Sequence, residues 1–252
     1  VAGSGTVRVA NQRYFAQIRA EHNIYRPGDT ARLEISTLDA NDQPFPSEAV
    51  VTVTRQRWAE VWIAPDGKEV RDVELAKVRS QYPKFPPPPS TSRWSRQKPW
   101  KHKFSGYEND EVIKKTVRTD SSGRGEFVFK PERDGYYQVA WNDPEDPARP
   151  VTAATMIWVA NDATGDLGYR HGGLEIIMDK DTVRPGQKAP VMLCAPDAGR
   201  CVLFTVERDG NRLAHAVLRR APFHERFVHA AAGFFGHSEG AVAQAGGDVL
   251  GR

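Results

Sequence analysis

The sequence predicts an all-β protein built of tandem antiparallel β-sandwiches, the second of them incomplete. Three observations carry this expectation. Apolar residues recur at alternate positions, as where Leu33 and Ile35 alternate with Arg32, Glu34 and Ser36, or Val51 and Val53 with Thr52 and Thr54; that is the pattern of strands with one buried face. Helical periodicity with capping residues is nearly absent before residue 220, which removes the crossover helices an α/β fold requires. One turn signature occurs twice, as Arg26-Pro27-Gly28-Asp29-Thr30-Ala31 and Arg184-Pro185-Gly186-Gln187-Lys188-Ala189. In each copy Pro presets φ near −65° (roughly) and Gly accepts φ > 0, the requirements of a type II turn between strands. Each copy opens a run that ends in Thr-Val-x-Arg, so one module is present twice.

The elements follow in order. After the strands around Leu33 and Val51, the cluster Thr119-Asp120-Ser121-Ser122-Gly123 is a turn leading into Phe127 and Phe129, and Asp134-Gly135 is another leading into Tyr137, Val139 and Trp141. An apolar strand from Ala153 to Val159 closes a first sandwich over residues 10–160, and residues 161–172, with Asn161-Asp162-Ala163-Thr164-Gly165-Asp166, have linker composition. Residues 173–220 supply Leu174 to Met178, the second Arg-Pro-Gly turn, Pro190 to Cys194 and Cys201 to Val206. Those strands are fewer than the seven of a usual sandwich, so the second domain is expected to be partial. Residues 221–252, rich in Ala, Gly and His, are expected to be weakly helical, irregular or disordered. A Pro-rich, basic excursion over residues 58–115 interrupts the first sandwich and reads as an elaborated hairpin.

Composition narrows the function classes. With 252 residues, 39% of them hydrophobic and 27% charged, the chain can bury a globular core, and no run of about 18 apolar residues supplies a membrane span. The net charge of +3 carries no overall nucleic-acid signature. The chain begins Val1-Ala2-Gly3 without a signal peptide or initiator Met, and reads as a processed chain or an excised piece. Its two cysteines, Cys194 and Cys201, flank a hairpin loop and could form a disulfide across its mouth in an oxidising compartment, or stand as two half-buried thiols. A zinc site would need further ligands at matching spacing, so neither a metal nor another cofactor is expected.

Several motifs tempt a catalytic reading and fail on spacing. Gly236-His237-Ser238-Glu239-Gly240 fits a nucleophile elbow, but no His follows Ser238 and the parallel sheet that carries such an elbow is missing. His224 and His229 stand five apart, about 140° from each other on a helix, and cannot ligate a metal as a zincin pair. Asp143, Glu145 and Asp146 lie beside Pro144 and Pro147 in what reads as a solvated surface turn. The stretch from Arg93 to Lys103 holds five Lys or Arg residues, two Trp and no acid. Such a stretch could stack on single-stranded bases; without a binding-fold signature, nucleic acid is not the expected partner. Pro86 to Pro89 reads as a stiff spacer, and the prolines and basic residues of 82–103 raise the expectation of an exposed protease target. No catalytic constellation remains, and the chain is not expected to be an enzyme.

The succession of Ile24-Tyr25-Arg26-Pro27-Gly28-Asp29, then Thr119-Asp120-Ser121-Ser122-Gly123 with Gly125 and Phe127, then Asp134-Gly135-Tyr136-Tyr137, resembles the macroglobulin domains of bacterial α2-macroglobulin-like proteins. Leu174 to Gly186 and Leu203-Phe204-Thr205-Val206-Glu207-Arg208-Asp209-Gly210 resemble the opening strands of the bait-region domain that follows in such arrays. The resemblance covers about residues 10–220. It implies seven-stranded, Ig-like sandwiches strung in a large secreted or periplasmic endopeptidase inhibitor, which traps a protease after bait cleavage. Neighbouring macroglobulin domains of the parent chain would then be the direct partners, and target proteases would be met through the parent protein. The family's Cys-x-Glu-Gln thioester motif is not matched at Cys194 or Cys201, and the tail beyond Pro222 does not resemble the family, so the chain reads as an interior piece or truncated product with a mechanical part in inhibition. The competing expectation is a secreted or cell-surface sandwich for adhesion or carbohydrate binding, favoured if Trp58, Trp62, Trp94 and Trp100 form a flat open platform.

Overall fold

The computed structural model describes residues 8–82, 84–88, 98–145, 147–161, 164, 167–170, 172–180, 188–194, 201–208, 211–219, 226–231 and 242–246, with side chains up to residue 205 except those of 188, 189, 201 and 202. It divides into two compact units, one formed by residues 1–55 and 110–252 and the other by residues 56–109.

The larger unit contains the sandwich. Strands β1 (Phe15–Ala20), β3 (Ala31–Leu38) and β7 (Arg124–Phe129) form one antiparallel sheet in the order β1-β3-β7, with Ile18 opposite Ile35 and Leu33 opposite Phe127. In the other, β2 (Ile24–Tyr25), β9 (Thr152–Val159), β8 (Gly135–Asn142) and β4 (Glu48–Ile63) follow in that order, and β6 (Lys101–Arg118) pairs with β4. Alternation in the sequence becomes burial: Ala31, Leu33, Ile35 and Thr37 face inward along β3 while Arg32 and Glu34 are exposed. The inward rows join Val51, Val53, Phe127, Phe129, Val139, Trp141 and Ile157 in one core. Removing each such side chain from water contributes about 1.5–3 kcal/mol before chain entropy is charged against it. The fold class is therefore all-β, an Ig-like sandwich that is antiparallel apart from the short parallel pairing of β2 with β9.

Two ties secure the connections. The Tyr137 hydroxyl donates to the Arg133 carbonyl at 2.7 Å, the corner bond that fixes the entry of a sandwich strand. In the turn before β7, Asp120 Oδ1 accepts from the Ser122 hydroxyl and from the backbone N–H groups of Ser122 and Arg124. Those bonds favour the charged carboxylate, the Ser122 hydroxyl most, and hold Asp120 below its usual range. Gly123 closes this turn at φ 67°. A Cβ there would run into the Thr37 carbonyl oxygen, so only Gly fits.

Beyond the sandwich, β10 (Glu175–Met178), β11 (Lys188–Cys194) and β14 (Arg226–Ala231) make one three-stranded sheet, and β13 (Asn211–Arg219), β12 (Cys201–Arg208) and β15 (Val242–Gly246) another. All of these pairings are antiparallel. Strands β14 and β15 lie inside residues 221–252, where irregular chain is expected from sequence. Ala- and Gly-rich segments show little alternation, so backbone pairing with β11 and β12 decides what local preference does not.

In the smaller unit, β5 (Glu69–Arg71) pairs antiparallel with Val61–Ile63 of β4 and leads into helix α1 (Asp72–Ser80). Little in the sequence signals this helix, because Leu75 is its one buried residue. Asp72 and Glu74 in its first turn and Lys77 and Arg79 in its last do suit the helix dipole. Leu75 packs with Ala64 and Val70, and Trp62, Val78, Phe85 and Trp100 lie against them.

Candidate functional site

The first Arg-Pro-Gly segment is a turn of the type its residues require. The Asp29 N–H donates to the Arg26 carbonyl at 3.0 Å, and Gly28 stands at φ 87°. Asp29 Oδ2 accepts from the Arg26 N–H at 2.8 Å, and the Gly28 N–H donates to the Pro131 carbonyl at 2.7 Å. The turn is thus anchored from both sides. Of the second copy, Arg184 to Gln187, with Pro185 and Gly186, lie outside the described residues, while Lys188 and Ala189 open β11.

Immediately before this turn, residues 22–25 form a joint with the strands that follow the sandwich. Asp179, 4% exposed, directly follows β10 and reaches back over more than 150 residues of sequence. Its Oδ1 accepts from the Ile24 N–H at 3.1 Å, and its Oδ2 lies 2.6 Å from His22 Nδ1, which donates. The Asn23 N–H donates to the Asp179 carbonyl at 3.1 Å and the Asn23 side-chain amide to the Met178 carbonyl at 3.0 Å. On the other side β2 is bound to β9, with the Trp158 N–H donating to the Asn23 carbonyl and the Ala160 N–H to the Tyr25 carbonyl, each at 2.9 Å. Ile24, Ala160, Leu167, Met192 and Cys194 pack beneath, with Trp158 and Tyr169 against them. Hydrogen bonds to a buried charged group contribute about 1.5–3 kcal/mol each, and an orphaned partner costs as much. Two residues of β2 therefore clamp the sandwich to the next set of strands. Asp179 was not legible from sequence: an acid after Glu175–Met178 reads as the polar start of a turn, and its partners are remote.

A second buried carboxylate corrects the sequence reading of the 143–147 turn. Asp143 is 7% exposed rather than solvated. Its Oδ2 accepts from the Tyr14 hydroxyl at 2.8 Å and its Oδ1 from the Glu145 N–H at 2.8 Å, while Trp141 Nε1–H donates to the Tyr14 oxygen at 3.1 Å. Burial, with the Asp143 bond and charge assisting, pushes the Tyr14 phenol up to about 12. Tyr14 therefore keeps its proton through the neutral range and acts as a donor, a buried brace rather than an acid or base. Glu145 itself pairs with Arg13 at the surface.

The other sequence candidates fall as follows. Gly236 to Gly240, His224 and the loop between Cys194 and Cys201 lie outside the described residues, as does the Cys201 side chain and with it the expected disulfide; Cys194 is buried at the end of β11. Among the described residues no group of His, Cys, Asp and Glu is placed to hold a metal, and no helix is long and apolar enough to cross a membrane. Trp94 and the rest of 89–97 lie outside the described residues. Trp58, Trp62 and Trp100 do not make an open platform: Trp58 meets Tyr107 edge-on, and Trp62 and Trp100 both meet Phe85 edge-on. Glu60 accepts from Trp62 Nε1–H at 2.6 Å and from Arg79 at 2.5 Å. Burial alone would raise the Glu60 carboxyl, but these two bonds outweigh it and hold the group below its usual range. Of the basic stretch, Lys103 pairs with Glu69.

Fold and site together define a class: an antiparallel β-sandwich protein whose buried polar groups brace and join strands. No family model and no curated protein sequence matches the chain. Among solved structures it is similar to Escherichia coli α2-macroglobulin in its native conformation, with TM-score 0.39 and 16% identity over 88% of this chain and 13% of that one. It is similar to a Salmonella α2-macroglobulin mutant at TM-score 0.38 and 14% identity, over 87% and 13% of the two chains. It is also similar to Escherichia coli α2-macroglobulin activated by porcine elastase, at TM-score 0.37 and 12% identity over 87% and 21%. The chain thus spans between about an eighth and a fifth of the length of these proteins. Likeness at this level describes neither family membership nor activity, and the functional reading rests on the chain's own residues.

Proposed function

We propose that the chain is a non-catalytic, structural portion of an α2-macroglobulin-like endopeptidase inhibitor that works outside the cytoplasm and traps proteases after bait cleavage. Sandwich folds host many functions, so the fold does not choose this one. The order of turn motifs along residues 24–137 motivates the reading, and the single observation that carries it is the joint at Asp179. A buried carboxylate that binds the strand ahead of the Arg-Pro-Gly turn couples successive β-modules, which is the property a cleavage-triggered rearrangement needs. In this role the chain acts on its neighbouring macroglobulin domains and meets target proteases only through the parent protein. The test uses the full-length protein encoded with this segment, incubated with proteases of differing specificity. The expected result is one early cleavage in the inhibitor, after which the protease still hydrolyses a small chromogenic peptide but no longer digests a protein substrate. Unchanged digestion of the protein substrate overturns the proposal.

A further inference from the structure

In the larger unit, β6 pairs with β4 and with no other strand among the described residues. Such an edge presents a row of N–H and C=O groups able to accept another strand. Val117 is buried and Ile113 packs against the sandwich core. By the two-residue period of a strand, Asp110, Val112, Lys114 and Thr116 then face outward, and all four are exposed. Val112, 45% exposed, is a large apolar side chain at the centre of this row. Asp110 and Lys114 flank it with opposite charges, and neither has an ion-pair partner among the described residues.

We propose that the edge of β6 at residues 110–114 is the interface of a two-fold homodimer, in which a second copy adds its own β6 antiparallel with Val112 opposite Val112. A two-fold axis relating antiparallel strands runs perpendicular to the sheet, so facing residues point to the same side and their numbers share parity. Centred on Val112, the axis sets Asp110 opposite Lys114 of the second copy and Lys114 opposite its Asp110. Apolar side chains meet on the axis and an ion pair closes each flank. Opposite charges directly across strands stabilise a pair, and like charges destabilise it. The adjacent register, centred on Ile113, sets Val112 against Lys114 and loses both outward pairs. Lysine on an edge ordinarily discourages strand addition. Here a second copy brings Asp110 opposite Lys114 and removes that penalty, which favours self-pairing over a strand without an acid at that position.

Sedimentation equilibrium of the 252-residue chain at low ionic strength tests the interface, alongside Asp110→Lys, Lys114→Asp and the double exchange. The expected result is a dimer whose dissociation constant rises about tenfold or more in each single variant, where like charges face each other, and returns to within about threefold in the double. A wild-type chain that stays monomeric up to about 1 mM overturns the proposal, as does a dimer that ignores the single exchanges or is not restored by the double. Amide exchange on the unaltered chain supplies a second measure. The N–H groups of residues 110–114 slow as concentration rises if the edge becomes covered, and concentration-independent exchange there overturns the interface.

Discussion

Along β3, β4, β8 and β9 of the larger unit the inward row is Val, Leu, Ile, Tyr and Trp at alternate positions, and residues from both sheets meet in a single core. In residues 56–109, by contrast, the buried apolar cluster is Ala64, Val70 and Leu75, and half-buried Trp62, Phe85 and Trp100 stand around it edge-to-face. Ion pairs supply much of what remains there: Arg57 and Arg71 with Asp72, Arg71 with Glu108, Lys68 with Glu74, Arg79 with Glu60, and Lys103 with Glu69. Exposed pairs of this sort contribute little and are screened by salt, whereas burial of a large core side chain contributes more and does not depend on salt. The difference teaches where cooperativity resides. A region held by a continuous core opens as a whole, and one held by rings and charges opens locally.

Substitutions can break that contrast in order of size. Trp141→Ala removes one of the largest fully buried side chains and takes away the indole donor to Tyr14. It is expected to cost about 3–5 kcal/mol in global unfolding by denaturant; a loss under about 1 kcal/mol would mean that the two sheets do not share a core. Leu75→Ala is expected to cost about 2–3 kcal/mol within residues 56–109 alone. Hydrogen exchange reads this as faster exchange in α1 and β5 with β3 and β8 unchanged, and acceleration of all four would show that the two units open together.

The smallest effect is alkaline. The Tyr14 phenol ionises near pH 10 when unfolded and near 12 when folded, so the unfolded chain binds fewer protons between those values. Its contribution to stability is complete below pH 10 and is lost as pH rises through 12. Burial raises Tyr25 and Tyr137 as well, so they share the slope. Tyr14→Phe should make the fall in denaturation midpoint between pH 10 and 12 shallower, and an unchanged slope would remove Tyr14 from this account.

Much of the sandwich was legible because its signals are local. Val51 and Val53 alternate, Pro27 and Gly28 sit together, and Asp120 and Gly123 lie within one turn, so propensity and period suffice. The polar braces were not legible, because their meaning lies in distant partners. Asp143 next to Pro144 reads as a surface turn until Tyr14, at the start of the fold, is brought over it. Asp179 likewise needs His22 and Ile24. Most of strand β6 was hidden inside the 58–115 excursion because an edge strand with few buried positions shows no alternation. Helix α1 escaped because a single buried residue leaves no apolar stripe to find.

The pairing of β2 with β9 has a mechanical consequence. It is parallel, with Ile24 opposite Trp158 and Tyr25 opposite Val159, and it joins the early part of the sandwich chain to its last strand. Tension drawn along the chain, entering ahead of residue 24 and leaving past residue 159, pulls these two strands in opposite directions along their own axes. The bonds from Trp158 to Asn23 and from Ala160 to Tyr25 are then loaded in shear and must yield together, instead of peeling one after the other as in a hairpin opened from its ends. Force transmitted through the chain in this way is resisted at this two-residue strand by both bonds at once.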